Sequence, residues 1–272
     1  MTEASMTRDI GTRLDRAIEI ARQAGALALE HFNHRDRLVI ETKRHASDLV
    51  SQADRAVEVL IREALSASFP DDAQLGEEHG ASPGSSGLTW VIDPIDGTAP
   101  YLGGLPGWCV SIGACDAEGP VIGVIFAPVL GELFSAARGR GARLNGVPIS
   151  AMPGDLRSGL LGIGANDRVP AARVGEMLTA LMEADAAWVR YGSGALMLAW
   201  VAGGRLIGYC EPRMSAWDCM AGYALILEAG GRVLDFPQGE AMRLPAPVLG
   251  ASPGAFAELE RLCRFSETAH WR

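Results

Sequence analysis

The chain has 272 residues, 48% hydrophobic and 21% charged, with 24 basic and 33 acidic side chains and a formal net charge of −9. That balance opposes a nucleic-acid or other polyanion partner, and the polar start Met1–Asp9 lacks the basic-then-apolar order of a signal peptide. The most hydrophobic stretch, Pro120–Phe134, is interrupted by Gly123, Pro128 and Gly131, so no run reads as a membrane span.

Apolar residues recurring every three or four positions (Leu14, Ala17, Ile18, Ala21, Ala24, Ala28, Phe32) predict a long helix over Ile10–Phe32. A second is expected from Ser51, as N-cap, to Phe69, with Val57, Leu60, Ile61 and Leu65 inward and Pro70 ending it. Short β-like runs follow at Thr89–Asp93, Val110–Cys115, Val121–Phe126 and Glu132–Ala136, and their Gly/Pro punctuation predicts an antiparallel meander. After Pro153 the pattern alternates. Strands are expected at Leu160–Ile163, Ala187–Tyr191, Arg205–Cys210 and Arg232–Leu234, with helices at Ala171–Glu183, Gly194–Ala202 and Ser215–Ala229 packed on their sheet. Two lobes follow, 1–150 and 151–272. The cysteines (Cys109, Cys115, Cys210, Cys219, Cys263) are odd in number and have no metal spacing, which suits core thiols in a reducing cytoplasm. The histidines (His31, His34, His45, His79, His270) likewise give a zinc site no support.

The densest chemistry is Trp90-Val91-Ile92-Asp93-Pro94-Ile95-Asp96-Gly97-Thr98. Alone it also reads as a strand ending in an Asp-rich turn, with Thr98 capping the next segment. The functional reading gathers hard oxygen ligands of the kind Mg²⁺ prefers: a bend at Pro94 brings Asp93 and Asp96 together with the Ile95 carbonyl between them. Gly97 lets the backbone approach an anion. Further acids stand at Gly76-Glu77-Glu78, at Asp218 near the start of an apolar helix, and at Asp54 in a first helical turn. Each has a simple structural explanation, a solvated turn or a favourable helix dipole; their joint occurrence favours chemistry.

Taken together, these motifs resemble the inositol monophosphatase family of the Mg²⁺-dependent, lithium-sensitive phosphatase superfamily. The resemblance rests on Lys43 followed by Asp48-Leu49-Val50-Ser51-Gln52-Ala53-Asp54, Gly76-Glu77-Glu78, the Trp90–Thr98 run, Gly192-Ser193-Gly194-Ala195 with Glu211, Trp217-Asp218-Cys219-Met220-Ala221-Gly222, and Glu228-Ala229-Gly230-Gly231. It spans about Leu14 to Gly250 and implies an α+β fold, a layered αβαβα sandwich of the inositol monophosphatase and fructose-1,6-bisphosphatase type. It implies two or three Mg²⁺ ions, with Mn²⁺ able to substitute, and a homodimer acting on a small phosphorylated substrate. By the same resemblance, Glu77, Asp93 and the Ile95 carbonyl hold one ion, and Asp93, Asp96 and Asp218 a second. Thr98, hydrogen-bonded to Asp54, positions the attacking water, Glu77 joins them as catalytic, and the Gly97 and Thr98 amides bind phosphate. Gly192, Ser193, Gly194 and Glu211 face the substrate, and Lys43 is a further candidate.

The clearest departures from the pattern are Ala99-Pro100-Tyr101 in place of Thr-Asn-Phe and Met197 where the family has Asp, with Met220 for Ala and Ser51 for Thr milder ones. None removes a metal ligand. Glu211 suits the vicinal hydroxyls of an inositol or sugar phosphate, equally the amine of histidinol phosphate, or simply a salt bridge to Arg213. A non-catalytic interaction protein on this fold would be expected to have lost an acidic ligand, and none is lost. The Gly162-Ile163-Gly164 fragment lacks the third glycine of a dinucleotide site, Asp167 standing there instead.

Overall fold

The computed structural model describes residues 3–37, 40–42 and 49–263. Lys43 and Asp48 lie outside the described residues. In chain order the elements are α1 (Glu3–Asn33), β1 (Ile40–Thr42), β2 (Leu49–Ser51), α2 (Gln52–Ser68), β3 (Ala73–Gly76), β4 (Gly80–Ser82), β5 (Thr89–Asp96) and α3 (Thr98–Leu102). Then come β6 (Cys109–Asp116), β7 (Gly119–Ala127), β8 (Glu132–Ala137), β9 (Ala142–Leu144), β10 (Val147–Ile149), β11 (Leu161–Ile163), α4 (Ala171–Glu183) and β12 (Trp188–Val189). The last are α5 (Gly194–Ala202), β13 (Gly208–Met214), α6 (Ala216–Glu228), β14 (Arg232–Val233), β15 (Ala246–Ala251) and α7 (Pro253–Cys263).

An eight-stranded sheet has the order β10-β9-β8-β7-β6-β5-β3-β4, and a five-stranded sheet the order β12-β11-β13-β15-β14. From β5 to β8 the first is the antiparallel meander expected, β9 and β10 extend it, and β3 joins β5 in parallel. The layers run α1–α2, large sheet, α5–α6, small sheet, α4–α7. This is the αβαβα sandwich. Strand alternation drives it: Trp90 and Ile92 point into the core shared with α1 and α2, whereas Val91 points to the α5–α6 side. The inner stripe of α1 is mostly alanine (Ala17, Ala21, Ala24, Ala28), which lets the helix lie close on the sheet. On the opposite face α6 also comes close: a Cβ at Gly123 would meet the Ala221 carbonyl at 2.1 Å. Among the described residues no helix is long and apolar enough to cross a membrane.

Two local expectations need correction, and several elements were not expected at all. The Pro94 bend is not a turn. β5 runs through it to Asp96, and the register with β6 shifts between Asp93 (opposite Ser111) and Asp96 (opposite Cys109). Positions three apart on a regular strand face opposite ways; the extra residue of this bulge turns both aspartates to one side. The strand expected at Arg205–Cys210 runs instead over Gly208–Met214, so Glu211 is mid-strand. Strands β1, β2, β4, β9, β10 and β15 and helix α7 escaped the reading altogether, being short, polar or Gly/Pro-interrupted.

Candidate active site

Carboxylate oxygens of Asp93, Asp96 and Asp218 all lie within 4.8 Å of one another. β5 supplies the first two across its bulge, and α6 the third from its first turn, where Asp218 Oδ2 accepts the Ser215 amide at 2.9 Å. Asp218 thus serves its helix start and the cluster together. Asp93 is buried, its Oδ1 accepting the Ile95 amide at 3.0 Å. Burial, then the charges of Glu77, Asp96, Asp218 and Asp54, hold Asp93 well above the usual carboxylate range. Burial, then Asp96 and Glu77, does the same to Asp218. Asp96 is raised chiefly by burial, against which work the Ser193 hydroxyl and the amides of Ala195, Gly194 and Leu196. Carboxylates crowded this way repel one another until a cation joins them. Hard oxygen donors without a histidine fit a divalent ion such as Mg²⁺.

Glu77 is half-buried on the turn after β3, close enough for its charge to act on Asp93 and Asp218. That turn is held from below by Glu58, fully buried on α2, whose carboxylate accepts the amides of Glu78 (2.7 Å) and His79 (3.1 Å) and Nη1 of Arg62 (3.2 Å). Asp54, one turn earlier on α2, is also buried, and its charge reaches both Asp93 and Tyr101. The Thr98 hydroxyl donates to the Ile95 carbonyl at 3.4 Å. Gly97 precedes α3 with φ 94°, and a Cβ there would meet the Gly107 carbonyl at 2.7 Å and Ser193 Cβ at 3.0 Å. Only glycine satisfies both the angle and the space.

The Gly192–Gly194 loop comes against this group. Ser193 donates to Asp96 Oδ2, which also accepts the Ala195 amide at 2.7 Å. Cys109 Sγ lies 3.9 Å from the same oxygen. Gly192, at φ 96°, leaves room for Pro100, whose Cγ would stand 2.8 Å from an added Cβ. The departure at Pro100 is therefore accommodated by contact with this loop. Met197 is buried in the α5–α6 core and lines the cleft.

Glu211 does not pair with Arg213. Its Oε2 accepts the Tyr209 hydroxyl at 2.6 Å and its Oε1 the Asn166 amide at 2.9 Å, and burial pushes it up to about 7. A cleft of about 500 Å³ runs over these groups, walled by Glu77, Gly97, Thr98, Ser193, Glu211 and Asp218 on one part and by Asn166, Arg168, Arg190 and Arg213 on another. Asn166, Tyr209, Arg190 and Glu58 escaped the sequence reading, and Arg213 entered it only as a salt-bridge partner for Glu211. Only the Gly162–Gly164 fragment pointed near them, since Asn166 follows it at the end of β11.

The family model for the inositol monophosphatase family matches residues 11–267. The Nus factor SuhB of Haemophilus influenzae is 36% identical over 250 residues, covering 90% of this chain and 93% of that protein. The histidinol-phosphatase of Chlorobaculum parvum is 38% identical over 234 residues, covering 82% of this chain and 85% of that protein. The structure of extragenic suppressor protein SuhB from Bartonella henselae superposes with a TM-score of 0.85 at 31% identity, covering 93% of this chain and 98% of that one.

Proposed function

The chain belongs to the inositol monophosphatase family, and from that membership and its carboxylate cluster we infer that it hydrolyses a small phosphate monoester, an inositol or sugar phosphate, with Mg²⁺. The observation that carries this reading is the convergence of Asp93, Asp96 and Asp218 within 4.8 Å beside Gly97 and Thr98 at the cleft. Glu77, Asp93 and the Ile95 carbonyl would hold one ion, and Asp93, Asp96 and Asp218 another. Bound divalent ions lower the pKa of a water to generate the nucleophile and offset charge on the leaving oxygen. The chain's own groups do the positioning. The Thr98 hydroxyl orients the water and relays its proton toward Asp54, while the Gly97 and Thr98 amides receive phosphate oxygens. Ser193 fixes Asp96, and Glu211 faces the alcohol portion.

The reading is tested by phosphate release from a panel of monoesters with Mg²⁺ or Mn²⁺ and with a chelator. Release that stops on chelation supports it; turnover that persists after exhaustive chelation refutes the mechanism. A second reading, an interaction protein on this fold, draws on the relatives named Nus factor SuhB. Absence of release from every monoester, with Mg²⁺ bound, would favour it. The buried free cysteines support a cytoplasmic location, and a homodimer is the expected assembly, checked by light scattering.

A further inference from the structure

We propose that Arg190 and Arg213, with Arg168 at the rim, form a second anion subsite in the cleft, which takes a phosphate or carboxylate carried elsewhere on the same substrate. This rests on the phosphatase reading for the phosphate that is cleaved.

The arginines come from three separate stretches: the segment after β11, the approach to α5, and β13. All three line the cleft that holds the carboxylate cluster. Arg213 is the informative one. Its Nε is buried and has no acceptor, and Glu211, two residues earlier on the same strand, is engaged by Tyr209 and Asn166. Asn166 even accounts for the Arg213 carbonyl, donating to it at 2.7 Å, so the backbone is held while the guanidinium is not. A guanidinium cannot shed its charge, and a buried donor left unpaired is destabilising. Arg190 donates to one backbone carbonyl, that of Ala165, at 3.2 Å. Neither residue is in an ion pair among those described.

The charges acting most strongly on Asp93 and Asp218 are other carboxylates, whereas Arg190 acts on Glu211. The cleft is therefore bipolar: acids that gather cations for one phosphate, and arginines whose planar forks fit the oxygens of a second anion. Its volume of about 500 Å³ is that of a site for a whole sugar-sized ligand rather than a bare phosphate. The same arginines oppose an amine, so histidinol phosphate fits this cleft less well than a doubly anionic ester.

The test is calorimetric binding, with Mg²⁺ present, of three probes whose C–P bonds resist hydrolysis: hexylphosphonate, 6-phosphonohexanoate and 1,6-hexanebisphosphonate. The wild type should bind at least one two-anion probe about tenfold or more tighter than hexylphosphonate, as charge-assisted hydrogen bonds allow. Arg213→Gln and Arg190→Gln should bring that ratio toward one, and Arg213→Lys should retain part of it. Equal affinities for one-anion and two-anion probes in the wild type, or a ratio unmoved by both glutamine variants, would overturn the subsite. Phosphate release from a simple monoester, measured in parallel, keeps the two readings apart. Turnover without two-anion preference sinks the subsite alone; preference without turnover sinks the phosphatase reading alone.

Discussion

Ser193 donates its hydroxyl to Asp96 Oδ2 across 97 residues of sequence, tying the start of α5 to a carboxylate on β5. The Ala195 amide bonds the same oxygen at 2.7 Å, so that oxygen sits at the α5 N-terminus. Ser193→Ala removes one of these bonds without altering any ligand. Outer partners of this kind are worth about 10–100-fold in metal affinity. Mg²⁺ titration of activity should show a loss of that order, and an unchanged Mg²⁺ requirement would show that Ser193 does not orient Asp96.

Asp93 faces four other acids, Glu77, Asp96, Asp218 and Asp54, whose charges all raise its pKa. Asp93→Asn should therefore nearly abolish phosphate release while raising the melting temperature in chelator, because one buried charge is gone from a repelling group. Most of the wild-type rate surviving in the variant would end the assignment of Asp93 as a shared ligand.

How stability varies with pH in the metal-free protein follows from the same crowding. Asp93, Asp96 and Asp218 have folded-state pKa values above their ordinary one. Their contribution is fully present below the ordinary value of about 3.9 and is lost as the pH rises through the raised values. In chelator the melting temperature should fall from mildly acidic to mildly alkaline pH. The increase produced by Mg²⁺ should grow over that range. A Mg²⁺ effect that shrinks with rising pH would contradict the cluster as a cation site.

Much of this site was legible in the sequence because it is carried by short contiguous runs. Trp90–Thr98 gave both β5 aspartates, and Trp217-Asp218 gave the α6 one. What was not legible is how they converge. A bend at Pro94 and a bulge at Pro94–Ile95 are equally consistent with the residues, and the pairing of Asp93 with Ser111 and Asp96 with Cys109 decides between them. The long amphipathic helices were readable by period, whereas β9 and β10, three residues each, carry too few positions for a pattern. Glu58 reads from sequence as one more exposed helix acid. Its burial appears only once the Glu78 and His79 amides are brought onto it.

Glu58→Gln tests that support. The carboxylate accepts two backbone amides and a guanidinium, and a glutamine presents one oxygen and an NH₂ group. One amide would face a donor, at a cost of about 1–3 kcal/mol. The turn carrying Glu77 would loosen, so thermal stability and Mg²⁺ affinity should fall together. A drop in melting temperature with Mg²⁺ affinity intact would make Glu58 purely a fold residue.

Glu211→Gln separates substrate binding from stability. The wild-type carboxylate, raised from 4.5 to about 7 by burial, gives stability that is fully present below 4.5 and lost as the pH rises through about 7. Glutamine keeps the shape and can still accept from Asn166, while its NH₂ donates to a reoriented Tyr209 hydroxyl. The variant should therefore hold its melting temperature better than wild type between mildly acidic and alkaline pH, by at most roughly 3 kcal/mol. Against that, the proposed substrate contact would lose its charged acceptor. KM for an inositol or sugar phosphate should rise about ten- to a hundredfold, while KM for an aryl phosphate without hydroxyls should change far less, since it makes no use of the carboxylate. Kinetics on both esters beside melts at two pH values read the effects independently. A KM change shared equally by the two esters would remove Glu211 from the substrate contacts and leave it a brace for Tyr209 and Asn166.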